Sequence, residues 1–208
     1  MYTLLVCMNI LKRSALTGLL LLVLLFLKPV AGHAHPHIFI DCAVTAVFDE
    51  HGLTGFRQQW TFDEMFSMGM VQEYDADHDG TFDPQEADKY RKEIFSILTE
   101  YHYLTVLSVD GADQQPDRAL DFQLSLRGGK LCYRFFTPCR VPYAATAHTV
   151  AITVFDEEYY ADMALPLDAC GTQGPAGLTV RRDHLAAPRL TYFGLIVPEF
   201  ITYTFTTP

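Results

Sequence analysis

One run of residues sets the architecture of this chain: Ile38-Phe39-Ile40-Asp41-Cys42-Ala43-Val44-Thr45-Ala46-Val47-Phe48. The run is rich in β-branched and aromatic residues and contains neither Gly nor Pro, which predicts a strand. The turn sequence Asp49-Glu50-His51-Gly52 follows, and residues 53–62 return as a second strand. The two strands together predict a β-hairpin.

After this hairpin, the spacing of the hydrophobic residues changes from every second residue to every third or fourth. Phe66, Met70 and Tyr74 lie four residues apart, which predicts a helix from Asp63 onward. A second helix is predicted to follow Pro84. Its apolar face would consist of Ala87, Tyr90, Ile94, Ile97, Leu98 and Tyr101.

The remainder of the chain is predicted to be mostly β again. Gly128-Gly129 is a hairpin turn, whereas residues 190–205 fit either a strand or a short helix, since Pro198 interrupts an apolar stretch. The predicted strands are residues 104–109, 121–126, 131–136 and 149–155, with 161–167 continuing the sheet and 178–180 as a short strand.

The segment between the two predicted helices is the strongest motif in the chain. Asp75-Ala76-Asp77-His78-Asp79-Gly80-Thr81-Phe82-Asp83-Pro84-Gln85-Glu86 fits the twelve-residue EF-hand loop at every constrained position. Ca²⁺ is a hard cation that takes about six to eight oxygen ligands, so carboxylates alternate along a tightly wound loop. Gly80 permits the sharp turn, and Phe82 would hold the loop against the core. The predicted ligands are Asp75, Asp77, Asp79, the backbone carbonyl of Thr81, Asp83 through a water, and Glu86 with both oxygens.

Helix capping explains part of the same segment without a metal. Asp83 is a good N-cap, Pro84 suits the first helical position, and Glu86 completes a capping box. Capping leaves the carboxylates of Asp75, Asp77 and Asp79 unexplained, and three carboxylates this close would repel one another without a cation. We therefore expect a calcium site. Because no second loop is found, a structural role of weak affinity, with a Kd of about 10⁻⁴–10⁻³ M, is favoured over a signalling role.

These elements predict an α+β fold. It would be an antiparallel β-sheet or sandwich with an inserted EF-hand-like helix-loop-helix at about residues 63–102. The mature chain, residues 35–208, would form a single β-rich domain.

The N-terminal residues 1–34 are predicted to be a signal peptide. Lys12 and Arg13 precede an uncharged run over residues 14–27, which is shorter than the about 20 residues of a spanning helix. Gly32 and Ala34 supply the small side chains expected before a cleavage site. Cleavage after Ala34 would release a periplasmic protein that is not inserted in the membrane; the alternative is an uncleaved anchor.

The composition narrows the class of partner. The 208 residues include 15 Lys and Arg against 25 Asp and Glu, which gives a net charge of −10. Binding to nucleic acid or to anionic lipid requires a basic surface, so both are disfavoured. The acidic balance suggests a cationic partner instead.

Export would also place four cysteines, Cys42, Cys132, Cys139 and Cys170, in an oxidising compartment. Up to two disulfides are then expected, and the three ways of pairing four cysteines stay open. No Cys-x-x-Cys motif is present, so a structural role is favoured over a catalytic thiol.

A second, weaker metal site is predicted at the new N-terminus. There His35 would carry a free α-amine and His37 would follow on the same strand face, and such a pair suits Ni²⁺, Co²⁺, Cu²⁺ or Zn²⁺. Pro36 has no amide proton, which prevents square-planar coordination through backbone amides. His102 and His148 are additional candidate ligands. The alternative is that these are ordinary histidines.

Residues 155–160, Phe-Asp-Glu-Glu-Tyr-Tyr, form a polar and aromatic cluster at a strand end. Such a cluster is typical of a binding loop and equally of a strand-terminal turn. No nucleophile elbow, phosphate loop, zincin helix or acid–base pair is present in the sequence, which favours a non-enzymatic protein.

Several of these segments together resemble a known family. The leader ends in Ala34-His35-Pro36-His37, and the hairpin leads into Trp60-Thr61-Phe62-Asp63-Glu64-Met65. A single EF-type loop follows, and residues 154–160 form the aromatic end of a later strand. This combination is similar to the exported bacterial family called domain of unknown function 1007. The resemblance implies a periplasmic component of an ABC-type transport system, associated with membrane transporters for nickel or cobalt. No catalytic residues are carried over.

The resemblance and the calcium loop together lead to one expected function: a non-enzymatic, calcium-binding accessory or metal-binding component of a transition-metal transport system. Two alternatives stay open. One is a copper-dependent metalloenzyme that uses His35 and His37, and the other is a purely structural or interaction module.

Overall fold

The structure is a computed structural model that describes residues 36–186 and 198–207. The predicted signal peptide, His35 and most of the apolar stretch before Pro198 lie outside the described residues. Within the described ranges, no helix has the length and apolar character needed to cross a membrane.

Two β-sheets make up most of the described chain. In chain order the strands are β1 (Ile38–Asp49), β2 (Gly52–Phe62), β3 (Thr105–Val109), β4 (Ala112–Gln114), β5 (Leu120–Arg127), β6 (Lys130–Pro142), β7 (His148–Val154), β8 (Ala161–Ala164), β9 (Cys170–Gln173), β10 (Val180–Ala186) and β11 (Glu199–Phe205). Sheet A has the strand order β5-β6-β2-β1-β8, with β9 also paired to β1, and sheet B has the order β10-β11-β7-β3-β4.

The predicted hairpin is the centre of sheet A. β1 and β2 pair antiparallel from Asp49 opposite Gly52 to Ile40 opposite Phe62, and β6 pairs antiparallel along the other edge of β2. Gly52 and Gly55 have φ values of +143° and +153°, and a Cβ at either would meet a carbonyl oxygen of β6 within 2.3 Å. Glycine is therefore required at these two positions, where a side chain would collide with the backbone of β6.

One face of sheet A is covered by two different layers. Val44, Ala46 and Phe48 of β1 pack against residues of sheet B, which makes this half a β-sandwich. Ile40 and Cys42, on the same face of the same strand, pack against the helical insertion. The sandwich and the helical layer thus share one continuous sheet.

The helical insertion between β2 and β3 begins as predicted and then departs from a regular helix. Helix α1 (Glu64–Tyr74) and helix α2 (Pro84–Glu93) flank the acidic loop, and a 3₁₀ segment, Phe95–Leu104, follows. The second helix was predicted to continue to Tyr101. Phe95 lies off the apolar stripe of α2, and the change to 3₁₀ geometry allows its ring to stack on Phe122 at a centroid distance of 3.8 Å.

The predicted antiparallel character holds for most pairs, with one correction. β8 and β9 both lie parallel to β1, opposite residues 38–41 and 44–47 respectively. The undecided stretch 190–205 contains a strand, because β11 pairs antiparallel with both β7 and β10. The described residues therefore form a mixed fold of two mainly antiparallel sheets with helices on one of them.

The predicted disulfides are absent from the described residues, where Cys42, Cys132, Cys139 and Cys170 are buried free thiols. The register explains this. Cys42 lies opposite Trp60 and Cys132 opposite Thr61, so β2 separates them and their side chains point to opposite faces of the sheet. Cys170 lies opposite Val44, which leaves it offset from Cys42 by two residues. Burial raises the pKa of the Cys139 thiol to about 11 and that of Cys42 well above its usual range, so neither suits a catalytic thiolate.

A hydrogen bond between two buried hydroxyls joins the helical layer to the sheet. Tyr90 of α2 and Tyr133 of β6 are both buried and hydrogen-bond to each other through their hydroxyl groups. Burial raises the pKa of both hydroxyls, so both are neutral over the ordinary pH range.

This pair gives a first prediction. Tyr90→Phe or Tyr133→Phe leaves the other hydroxyl buried without its partner, and each should lower the free energy of unfolding by about 1–3 kcal/mol. The double variant removes both hydroxyls and should lose less than the sum of the single variants. Urea unfolding of the unsubstituted protein, the two single variants and the double variant measures this difference. Strictly additive losses of stability would contradict an energetic coupling between the two hydroxyls.

Candidate metal centre

The two helices fix the ends of the acidic loop. At the start of α1, one carboxylate oxygen of Asp63 accepts a hydrogen bond from the amide of Phe66, and the other accepts from the amide of Phe39 on β1, both at 2.9 Å. At the start of α2, Asp83 is the N-cap and Pro84 occupies the first turn. Asp83 thus caps the helix that follows the loop, whereas Asp63 holds the far end of α1 against β1, and the loop begins at Asp75, the C-cap of α1.

Asp75 organises the inside of the loop. Its side chain is almost completely buried, and its two oxygens accept hydrogen bonds from the amides of Asp79 at 3.2 Å and Gly80 at 2.9 Å. A buried carboxylate at the start of the loop therefore draws the following residues around itself. The sequence predicted Asp75 as a ligand but gave no sign of this burial.

The side chains of Asp75, Asp77 and Glu86 converge. One ligand oxygen from each lies within 4.8 Å of the others, and within residues 36–186 and 198–207 this is the one group of three or more His, Cys, Asp or Glu side chains that comes together in this way. Glu86 reaches back across the loop, where its oxygens accept hydrogen bonds from the amides of Ala76 at 2.6 Å and Asp83 at 3.0 Å. The first and last residues of the loop are thereby brought to one point.

Neighbouring carboxylates disfavour the charged form of Asp77. The amide of Asp79 donates to Asp77, which lowers the pKa of Asp77. Desolvation and the neighbouring carboxylates of Asp79 and Glu86 outweigh this effect, and the pKa of Asp77 lies above its ordinary value. A bound cation would reverse the sign of this local potential.

The remaining predicted ligands have other partners. Asp79 accepts hydrogen bonds from both the amide and the hydroxyl of Thr81 at 2.8 Å. Asp83 accepts from the amides of Gln85 at 2.7 Å and Glu86 at 2.9 Å, so the helix-capping interpretation of this residue is confirmed. Helix capping thus accounts for Asp83 and for one hydrogen bond of Glu86, and the calcium site stays a prediction.

Left-handed backbone conformations wind the loop. His78 has a φ of +58° and Gly80 a φ of +79°. A Cβ at Gly80 would meet no atom within 4 Å, so glycine is favoured there by its backbone conformation and not by lack of space.

Comparison with known proteins places the chain in a family. The family described as "Protein of unknown function (DUF1007)" matches residues 19–179. The chain belongs to this family. The match confirms the resemblance seen in the sequence, and it includes the whole acidic loop.

Two relatives match the chain at lower coverage. An uncharacterized protein of Haemophilus influenzae is 28% identical over 132 residues, which is 62% of this chain and 62% of that protein. A Spirochaeta aurantia protein, "Uncharacterized 15.5 kDa protein in trpE 3'region", is 29% identical over 143 residues, or 66% of this chain and 97% of that protein. The match therefore spans less than two thirds of the length of the Haemophilus relative.

The predicted histidine site is only partly within the described residues. His35 lies outside them, and the ring of His37 lies 5.0 Å from the ring of Tyr160. His102 Nδ1 lies 3.1 Å from the carbonyl oxygen of Pro116, and His148 Nδ1 lies 2.7 Å from a carboxylate oxygen of Asp110. The structure does not bring His102 or His148 into a cluster with His37, and the site at His35 and His37 stays a prediction.

The acidic loop contacts the core through Phe82, as predicted. Phe82 packs against the aromatic cluster, with its ring 6.2 Å from that of Tyr90. Tyr90 in turn hydrogen-bonds Tyr133. An ordered loop is thus connected by packed side chains to β6.

Proposed function

We propose that the chain is a non-enzymatic, calcium-binding member of its family that holds one Ca²⁺ in the loop Asp75–Glu86. The convergence of the Asp75, Asp77 and Glu86 carboxylates supports this proposal most directly. These three residues occupy the first, third and last positions of a loop that matches the EF-hand pattern.

The donor set fits Ca²⁺ better than a transition metal. Every predicted ligand is a carboxylate or carbonyl oxygen, which suits hard cations, whereas Zn²⁺ and Cu²⁺ favour nitrogen and sulfur. Asp75, Asp77 and Glu86 already converge, and Asp79, Asp83 and the Thr81 carbonyl supply the remaining oxygens. The ion would neutralise part of the mutual repulsion that raises the pKa of Asp77.

The ion would stabilise the helical layer. The loop joins α1 to α2, and Phe82 connects it to the aromatic core. The family resemblance extends this proposal to the role of the whole protein. We propose that it is an exported, periplasmic accessory or metal-binding component of a transition-metal transport system. The calcium loop is then its structural element, and the transported metal is a separate ligand.

A calcium titration tests the proposal. With a Kd of about 10⁻⁴–10⁻³ M, about 10 mM Ca²⁺ should stabilise the fold by about 1.4–2.7 kcal/mol. We expect the melting temperature of metal-stripped protein to rise by about 3–10 °C. Mg²⁺ should have a smaller effect because it demands a tighter octahedral site. Equal melting temperatures in Ca²⁺, in Mg²⁺ and in choline chloride of matched ionic strength would refute calcium binding.

A further inference from the structure

An apolar cavity of about 270 Å³ lies between sheet A and the helical layer, away from the acidic loop. Ile40 and Trp60 line it from the sheet, Phe66 from α1, and Ile94 and Leu98 from the residues after α2. The cavity opens to the surface, and a concave, mostly apolar recess of this kind has the character of a binding site for a small molecule.

The rim of this cavity is acidic. Asp156 and Glu158 border it and also border an adjoining depression of about 240 Å³, which Glu100 and Glu157 line as well. Among the described residues that line the two spaces there is neither Lys nor Arg, and His102 is the one basic side chain. Four acidic residues thus border two recesses that share Tyr101, Leu104, Asp156 and Glu158.

The acidic rim is held in a defined shape. The carboxylate of Asp156 accepts hydrogen bonds from the amides of Glu158 and Ala161, both at 3.0 Å, and the amide of Tyr159 donates to the Asp156 carbonyl. The polar and aromatic cluster at residues 155–160 is therefore a strand-terminal turn, and the same turn borders the cavity. The two interpretations of this cluster are compatible.

Aromatic rings stand beside the carboxylates. Tyr101 and Tyr160 line the apolar cavity and are 55% and 50% exposed, and the ring of Tyr160 also contacts that of His37. A cation near such ring faces is attracted by the aromatic quadrupole. Carboxylates and tyrosine rings together favour a positively charged group at the opening.

The combination selects one class of ligand. An anion would be repelled by four carboxylates, and a neutral apolar molecule leaves the acidic rim without a role. A bare metal ion would have to lose its hydration shell in an apolar chamber. We propose that the cavity binds a small organic ammonium ion, with its apolar body between Trp60 and Leu98 and its charged head at Asp156 and Glu158.

Three ligands of equal size test this proposal. Phenylbutylamine is a cation at pH 7.5, phenylbutanol is neutral and phenylbutanoate is an anion. Calorimetry and the fluorescence of Trp60, the one tryptophan of the chain, measure binding of each at fixed Ca²⁺. We expect the amine to bind about tenfold more tightly than the alcohol, and the anion to bind more weakly than either. Equal binding of all three, or no binding of the amine, would overturn the proposal.

Three variants locate the site. Glu158→Gln should weaken the binding of phenylbutylamine about three- to tenfold and leave the binding of phenylbutanol unchanged. Leu98→Trp fills the chamber and should abolish binding of both. Glu50→Gln removes the same charge from the exposed β1–β2 turn and should change neither. If Glu50→Gln weakens the binding of phenylbutylamine as much as Glu158→Gln does, the amine is attracted nonspecifically to an acidic protein and the site is refuted. Asp156 is unsuitable for substitution because it holds the turn.

Discussion

Replacement of Glu86 by Gln should remove nearly all of the rise in melting temperature that Ca²⁺ produces. Glu86 is the last residue of the loop, where an EF-hand glutamate contributes both oxygens to the ion. Glutamine offers one oxygen and no charge. A loss of about 3–10 °C in the calcium response is expected, because the whole effect depends on occupancy of this site.

The variant should still fold without calcium. Glu86 also accepts hydrogen bonds from the amides of Ala76 and Asp83, and it completes the capping box of α2. Glutamine supports a capping box as well as glutamate does. We therefore expect the metal-free melting temperature to change by only a few degrees, so that folding and calcium binding are separated.

A matched substitution distinguishes ligation from general electrostatics. Glu73 is an exposed glutamate at the end of α1, two residues before Asp75, and it is outside the converging group. Glu73→Gln removes the same charge and should keep most of the calcium response. If Glu86→Gln and Glu73→Gln respond to Ca²⁺ equally, the loop is not the calcium site.

The parts of the fold that the sequence predicts are those determined by neighbouring residues. Alternating burial along β1 and β2, the glycine turn between β5 and β6, and the N-cap Asp83 all depend on short-range patterns. The same is true of the acidic loop, whose spacing predicts that Asp75, Asp77 and Glu86 meet. These features agree with the structure within a few residues.

The parts that the sequence does not predict depend on contacts between distant segments. β8 and β9 become parallel neighbours of β1, more than 100 residues earlier in the chain, and nothing in either short strand indicates a partner. The change to 3₁₀ geometry at Phe95 likewise accompanies a contact with a distant residue, since the ring of Phe95 stacks on that of Phe122 in β5. The cavity depends on two layers meeting on one sheet, which local patterns do not encode.

The cysteines show how a sound general rule fails for a particular fold. An even number of cysteines in an exported chain favours disulfides. In this sheet, Cys42 and Cys132 lie on opposite faces with β2 between them, so the register prevents their pairing. Buried free cysteine then serves as a small apolar residue of the core.

A buried glutamine connects the two sheets, and its loss should strongly destabilise the fold. Gln58 on β2 is completely buried. Its amide nitrogen donates to the Thr105 hydroxyl of sheet B at 3.1 Å and to the Thr137 hydroxyl of sheet A at 2.8 Å. Its oxygen accepts from the indole N–H of Trp60 at 3.1 Å. One side chain thus satisfies three buried polar groups.

Gln58→Leu keeps the size of the side chain but leaves the Trp60 N–H and the Thr137 hydroxyl without a partner in an apolar interior. We expect a loss of about 2–5 kcal/mol in the free energy of unfolding, or roughly 5–15 °C in melting temperature. Addition of Thr137→Val should recover part of this loss, because it removes one of the two unpaired groups.

Gln59→Leu is the control, since Gln59 is the next residue on β2 and points to the other face of sheet A. This substitution should change the free energy of unfolding by less than about 1 kcal/mol. Equal losses of stability for Gln58→Leu and Gln59→Leu would show that the buried hydrogen bonds of Gln58 do not stabilise the fold.

The emission of Trp60 gives a second measurement of the same variant. Gln58 hydrogen-bonds the indole of Trp60, which lines the apolar cavity between sheet A and the helical layer. Gln58→Leu should therefore shift the emission of Trp60 and weaken the binding of phenylbutylamine, even at temperatures where the protein stays folded.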